Sequence, residues 1–242
     1  MDVMDLFAHF SWLDLAAVIL AFGSWAVLGR MIESERLSRR SVTVLMMEYR
    51  RDWMREFITR QPRIFDASIL ANLRQSTSFL ASASMIALGG LLALIGNSEP
   101  LLGVARDFTL GAPERVVEIK LMICGVFLLQ AFLKFVWANR LFGYCAVIMS
   151  AVPNDPEDPR ALPRAMQAAD INIRAAFNFN RGLRSLYFSL GSLAWLLGPV
   201  PFLVAVAVVA HLIWSRDFAS HSRRILTDPP KPDGPAPTRD PG

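Results

Sequence analysis

The chain has 242 residues, of which 53% are hydrophobic and 19% charged, with a formal net charge of +4. A soluble domain carries about 45–50% apolar and about 25% charged residues, so a disordered chain and a disulfide-stapled secreted module are both excluded. Long charge-free runs alternating with arginine-dense segments also exclude an ordinary cytosolic enzyme and point to a polytopic membrane protein.

Residues 1–14 contain Asp2, Asp5 and Asp14 but no lysine or arginine, and no Ala-x-Ala site follows the first apolar run. That run therefore reads as a retained span rather than a signal peptide. A spanning helix needs about 20 mostly apolar residues, and four segments qualify: about residues 10–28, 76–96, 119–138 and 186–214. The third apolar pattern extends from Val117 to Val152. As a helix it would reach about 54 Å against a hydrocarbon core of about 30 Å, which predicts a continuation into the cytosol. The fourth contains Gly198-Pro-Val-Pro201, and proline removes a backbone donor and crowds the preceding turn. One kinked span is expected there in preference to a re-entrant pair.

Between the first two spans, Val42, Leu45, Met46, Tyr49, Trp53 and Phe57 recur at helical spacing. This predicts an amphipathic cytoplasmic helix over about 42–60, lying at the membrane surface or packed on the protein's own helices. Residues 226–242 are proline-rich and predict a disordered tail. Residues 1–225 then form a single helical domain. The predicted fold is all-α, a polytopic membrane protein of about four transmembrane helices with long cytoplasmic extensions.

Ten arginines fall within residues 30–75 and six within 139–185, whereas the N-terminus has none and residues 97–118 have two. With four spans, the positive-inside rule places both termini outside, on the periplasmic face of a bacterial inner membrane. The basic residues Arg216, Arg223 and Arg224 oppose this; a fifth crossing or a broken fourth span would remove the conflict. The positive charge beside the spans suits anionic lipid headgroups at the arginine-rich face. No nucleic-acid motif accompanies it, so lipids and a homo-oligomer or other membrane proteins are the expected partners.

His9, His211 and His221 have no metal-ligand spacing, and no HExxH, GxSxG or P-loop occurs. No catalytic residue, metal or cofactor is expected. Cys124 and Cys145 would lie about 30 Å apart on one continuous helix, beyond the roughly 7 Å a disulfide allows. Polar groups inside the membrane carry more information, because burying them is costly. Lys120 and Lys134 differ by about 40° around a helix and share a face. They would line an anion or headgroup cavity, or else reach toward opposite interfaces. Ser78, Ser82, Gly89 and Gly90 in the second span, and Gly182, Ser185, Ser189 and Ser192 in the fourth, predict close packing between those two helices or a homo-oligomer contact. Asn178, Asn180, Arg181, Arg184 and Tyr187 form the densest polar cluster, entering the fourth span. Arg181 and Arg184 would grip phosphate oxygens or cap cytoplasmic carbonyls and carboxylates, with Asp66 and Asn72 as partners by position.

NLRQSTSFLASASMIALGGLLALIG through the second span, GYCAVIMSAVP after the third and FNFNRGLRSLYFSLGSLAWLLGP into the fourth resemble the membrane family catalogued as domain of unknown function 599. The resemblance covers about residues 10–225 and implies a four-span bacterial membrane protein. Asn180, Arg181, Gly182, Tyr187, Trp195 and Pro199 match its most specific motif. The expected function is a non-enzymatic scaffold or regulatory component of an inner-membrane assembly. The alternative is a homo-oligomeric pore or carrier for a small ion or anionic solute, built on the Lys120/Lys134 face.

Overall fold

A computed structural model describes residues 10–96 and 114–228. The described residues form helices and no strand, as expected for an all-α protein. Seven α-helices follow in order: α1 (Trp12–Ile32), α2 (Val42–Thr59), α3 (Ile64–Gly96), α4 (Glu114–Ser150), α5 (Ala161–Ser192), α6 (Pro199–Trp214) and α7 (His221–Thr227). The segments Trp12–Ile32, Ile64–Gly96, Glu114–Ser150 and Pro199–Thr227 are long and apolar enough to cross a membrane. Their outer faces carry large bare side chains such as Ile19, Phe79, Ile86, Met122 and Val204, all more than half-exposed or nearly so. In water such a belt would be an aggregation surface, whereas hydrocarbon accommodates it.

α1, α2 and α7 each start at a serine that satisfies an orphan backbone donor. Ser11 caps α1 by accepting from the Asp14 amide at 3.3 Å, while the Asp14 carboxylate accepts from the Ser11 amide at 2.9 Å. Buried Ser41 caps α2 by accepting from the Val44 amide, and its hydroxyl donates to the Ile32 carbonyl at 2.6 Å. That one side chain fixes the start of α2 to the end of α1. α2 buries Val44, Met47, Met54, Phe57 and Ile58. Val44 and Met47 pack on Ile173 and Phe177 of α5, so the amphipathic helix lies on the protein's own helices. Tyr49, expected on the apolar face, is exposed.

α4 and α5 run antiparallel along most of their length. Phe135 meets Gly182, Cys124 meets Ser189, and Cys145 meets Ala168. Beyond the membrane, Ala161, Ala165, Ala168 and Ala169 give α5 a smooth face on which Phe142, Cys145 and Met149 of α4 pack. Both cysteines are free and buried. Within the membrane, Phe127 stacks on Phe22 at 4.6 Å and on Phe188 at 5.8 Å between ring centroids, joining α1, α4 and α5. α3 packs on α4 and leaves most of its surface bare. The small residues of α3 therefore do not meet those of α5, contrary to the expected pairing. Gly182 and Ser189 face α4 instead, and Ser185 faces Trp25 of α1.

The 198–201 break corrects the expected fourth span. α5 passes into a 3₁₀ turn (Leu193–Leu197), and Gly198 follows at φ 119°, a backbone conformation that only glycine adopts cheaply. Pro199 then opens α6, its missing amide being no loss at a helix start. The chain reverses. Gly191 approaches Ala205 and Val209, Trp195 stacks on Phe202 at 5.2 Å, and Arg216 returns to Tyr187. Residues 186–214 are thus a helical hairpin rather than one kinked span. From Arg181 to Leu197 the first arm covers roughly 28 Å, about the full hydrocarbon depth. Residues 216–223 consequently lie beside Arg40 and Thr43 at the arginine-rich end, while Ser11 and Asp14 lie at the other with Trp195. The start of α1 and the segment after α6 therefore lie at opposite ends of the bundle, where one kinked span would have put them at the same end. Of the expected proline-rich tail, residues up to Thr227 belong to α7, and the stretch from 229 onward lies outside the described residues.

Candidate functional site: a basic cavity between α1, α4 and α5

Glu33 is the first residue after α1 and caps its C-terminus. Its carboxylate receives Arg181 Nε at 2.9 and 3.1 Å, Arg181 Nη2 at 2.5 Å and Arg184 Nη2 at 2.5 Å. One acid thus holds two arginines set a turn apart on α5, in the bidentate geometry that makes such pairs strong. Burial pushes the Glu33 carboxyl up, but the Arg181 hydrogen bond and the two positive charges outweigh it and hold it below the ordinary value of 4.5. Arg184 is 8% exposed, and its guanidinium lies against Gly29 of α1. Trp25 Nε1 donates to Ser185 Oγ at 3.1 Å, which clamps α1 to the same stretch of α5.

These residues line a cavity of about 310 Å³ that also takes in Arg30, Gln130 and Lys134. Four basic side chains from three helices surround it, with Glu33 the sole carboxylate of the lining. The side chains of Arg30, Gln130 and Lys134 form no hydrogen bond or ion pair among the described residues. Three of the residues singled out from sequence, Lys134, Arg181 and Arg184, therefore meet here. A neighbouring cavity of about 240 Å³ lies on the other side of Arg184. There Thr43 accepts from Asn180 at 3.3 Å and donates to Asp217 at 2.9 Å, and Arg216 donates to Tyr187 Oη at 2.8 Å. Tyr187 thus holds the returning C-terminal segment directly, and Asn180 does so through Thr43.

The remaining expectations resolve elsewhere. Lys120 does not share a cavity with Lys134: fourteen residues of helix separate them by about 21 Å. Lys120 is buried at the opposite end, its Nζ 5.7 Å above the Trp195 ring, whose Nε1 donates to Asp14 at 2.6 Å. An apolar crevice of about 590 Å³ opens beside this group, between Phe10, Trp12, Ile119 and Trp195. Asp66 does not pair with Arg181 or Arg184. It is fully buried and accepts from Trp53 Nε1 at 2.6 Å and from Arg60, joining α2 to α3. Asn72 is exposed on α3, away from both arginines. Asn178 bonds back to the Arg174 carbonyl at 2.9 Å within α5. Their place as partners is taken by Glu33, an acid at the end of an apolar span in an otherwise arginine-rich stretch. Among the described residues no group of three His, Cys, Asp or Glu side chains could hold a metal ion.

Four apolar helices and a basic cavity at one end of the bundle define an α-helical membrane protein. The chain belongs to the family described as "Protein of unknown function, DUF599", which it matches over residues 16–222. Comparison with curated proteins finds no match, and comparison with solved structures finds none.

Proposed function

We propose that the protein is a multi-pass component of the bacterial inner membrane that acts without catalysis, as a scaffold or regulatory subunit of a larger assembly. Its arginine-rich end faces the cytosol, because basic residues are retained on that side; its N-terminus then lies outside and its C-terminal segment inside. The observation that supports this best is the basic cavity, with Arg181 and Arg184 fixed by Glu33 in a helical platform built from α2, α4 and α5. Such a rigid, positively charged platform presents a binding surface for acidic partners and anionic headgroups.

The test is native mass spectrometry of the protein released gently from its own membranes. Stoichiometric foreign subunits, retained less well by the Arg181→Ala and Arg184→Ala proteins, are the expected result. The same partners at the same yield in those variants would sink the scaffold reading. A pore or carrier is the second reading, favoured by the bare face of α3, where a Cβ at Gly89 or Gly90 would meet nothing within 4 Å. It predicts a homo-oligomer without other polypeptides, and loss of flux in a folded Lys134→Leu protein.

A further inference from the structure

The charge count of the cavity is unbalanced in a particular way. Glu33 is saturated by Arg181 and Arg184, which compete for its two oxygens. Arg30 from α1 and Lys134 from α4 converge on the same 310 Å³ space without a carboxylate of their own among the described residues. Like charges brought together from separate helices repel. Anchoring alone does not require convergence, since each side chain could reach its own stretch of interface. The arrangement is relieved by an anion seated between Arg30 and Lys134. We propose that this cavity binds a phosphate group, with Lys134 and Arg30 as its cationic ligands, Gln130 as a neutral donor and Glu33 holding Arg181 and Arg184 in place around it.

The position of the cavity fits a phosphate borne by a lipid. Arg30 lies in the last turn of α1, and Glu33 marks the end of that span. This is the depth at which headgroup phosphates lie beside the hydrocarbon. Trp25 lines the wall, and tryptophan favours the headgroup level. The volume is at the lower limit of small-ligand sites, enough for a phosphate and its bridging waters rather than a whole lipid. A free phosphate monoester offers the same oxygens, so the chemistry is shared and the source is decided by experiment.

The proposal rests on the arginine-rich end being the working surface of the protein, but its test reads phosphate rather than partners. The full chain is reconstituted in nanodiscs of the phosphate-free lipid digalactosyldiacylglycerol alone or with phosphatidylglycerol, and inorganic phosphate is titrated by calorimetry. Retained lipid is counted by native mass spectrometry. Each lost charge-assisted bond is expected to weaken binding about 10- to 100-fold, so Arg30→Gln and Lys134→Gln should each do so. Arg36→Gln, an exposed arginine of the same end outside the cavity, should leave binding unchanged. A retained phosphatidylglycerol that inorganic phosphate does not displace assigns the site to a lipid. Saturable phosphate binding without retained lipid assigns it to a soluble anion. Equal binding by wild type and the Arg30→Gln/Lys134→Gln protein overturns the proposal, and so does an equal loss in Arg36→Gln. Partner retention with no phosphate discrimination would leave the scaffold reading standing and remove this one; the reverse pattern would do the opposite.

Discussion

At Gly182, α5 leaves room for the Phe135 ring of α4. A Cβ built there would sit 2.6, 2.8 and 3.0 Å from Cε1, Cδ1 and Cζ of Phe135. Carbon atoms rest about 3.5–4.0 Å apart, so Gly182→Ala forces the ring back by roughly 1 Å. Phe135 has nowhere to go: it is 0% exposed and its ring lies 5.7 Å from that of Phe179. Overpacking of this kind costs about 1–3 kcal/mol. The better helix propensity of alanine returns about 1 kcal/mol; because the ring has no room to retreat the cost lies toward the upper end of that range, and the net loss is about 2 kcal/mol. Gly143→Ala is the matched control, because a Cβ there meets nothing within 4 Å on the same pair of helices; it should stabilise by about 0.5–1 kcal/mol. Unfolding in detergent can be followed with a thiol-reactive dye, since Cys124 and Cys145 are both free and buried. Phe135→Leu should relieve the Gly182→Ala penalty, giving a favourable coupling in the double variant. If Gly182→Ala is as stable as wild type, or if its penalty is the same with leucine at 135, the described packing of α4 on α5 is wrong.

Glu33→Gln should destabilise the protein by about 1–3 kcal/mol at neutral pH. That is less than the 3–5 kcal/mol of a fully buried pair, because water screens the Arg181 arm. Since the folded carboxyl titrates below 4.5, its contribution is complete above that value and lost as pH falls through the folded value. The stability gap between wild type and Glu33→Gln should therefore close on acidification below about pH 4.5; a gap that persists there would refute the ion-pair account. Thr43→Val removes the acceptor for Asn180 and the donor to Asp217, at about 1–3 kcal/mol for the two bonds. It should also quicken limited proteolysis within α7, and unchanged cleavage there would show that Thr43 does not hold the C-terminal segment.

The first three spans were readable because hydropathy and helix length decide them: α1, the membrane half of α3 and the over-long α4 fall where their apolar runs lie. The hairpin was not. The first arm carries Arg181, Gly182, Arg184, Ser185, Ser189 and Ser192, a stretch too polar to read as a separate apolar span. Its hydroxyls are satisfied locally and against α4: Ser185 donates to the Arg181 carbonyl, Ser189 to the Cys124 carbonyl and Ser192 to the Ser189 carbonyl. A segment sheltered by α1, α4 and α6 does not need an apolar surface. The signal that was available is the conflict between the basic residues Arg216, Arg223 and Arg224 and both ends lying together, since the hairpin brings these residues to the arginine-rich end. In the site, Lys134, Arg181 and Arg184 were legible as costly charges near an interface. Glu33 was not, because its partners lie 148 and 151 residues away and no local spacing encodes such a pairing.

The most direct measurement is side-specific labelling of single cysteines at Trp12, Ser38 and Ser222 in intact cells, with Cys124 and Cys145 replaced by alanine. An impermeant thiol reagent should reach position 12 from outside, and reach 38 and 222 only after the membrane is opened. Labelling of 222 together with 12, and apart from 38, would contradict the hairpin and with it the placement of residues 216–223 at the same end of the bundle as the basic cavity.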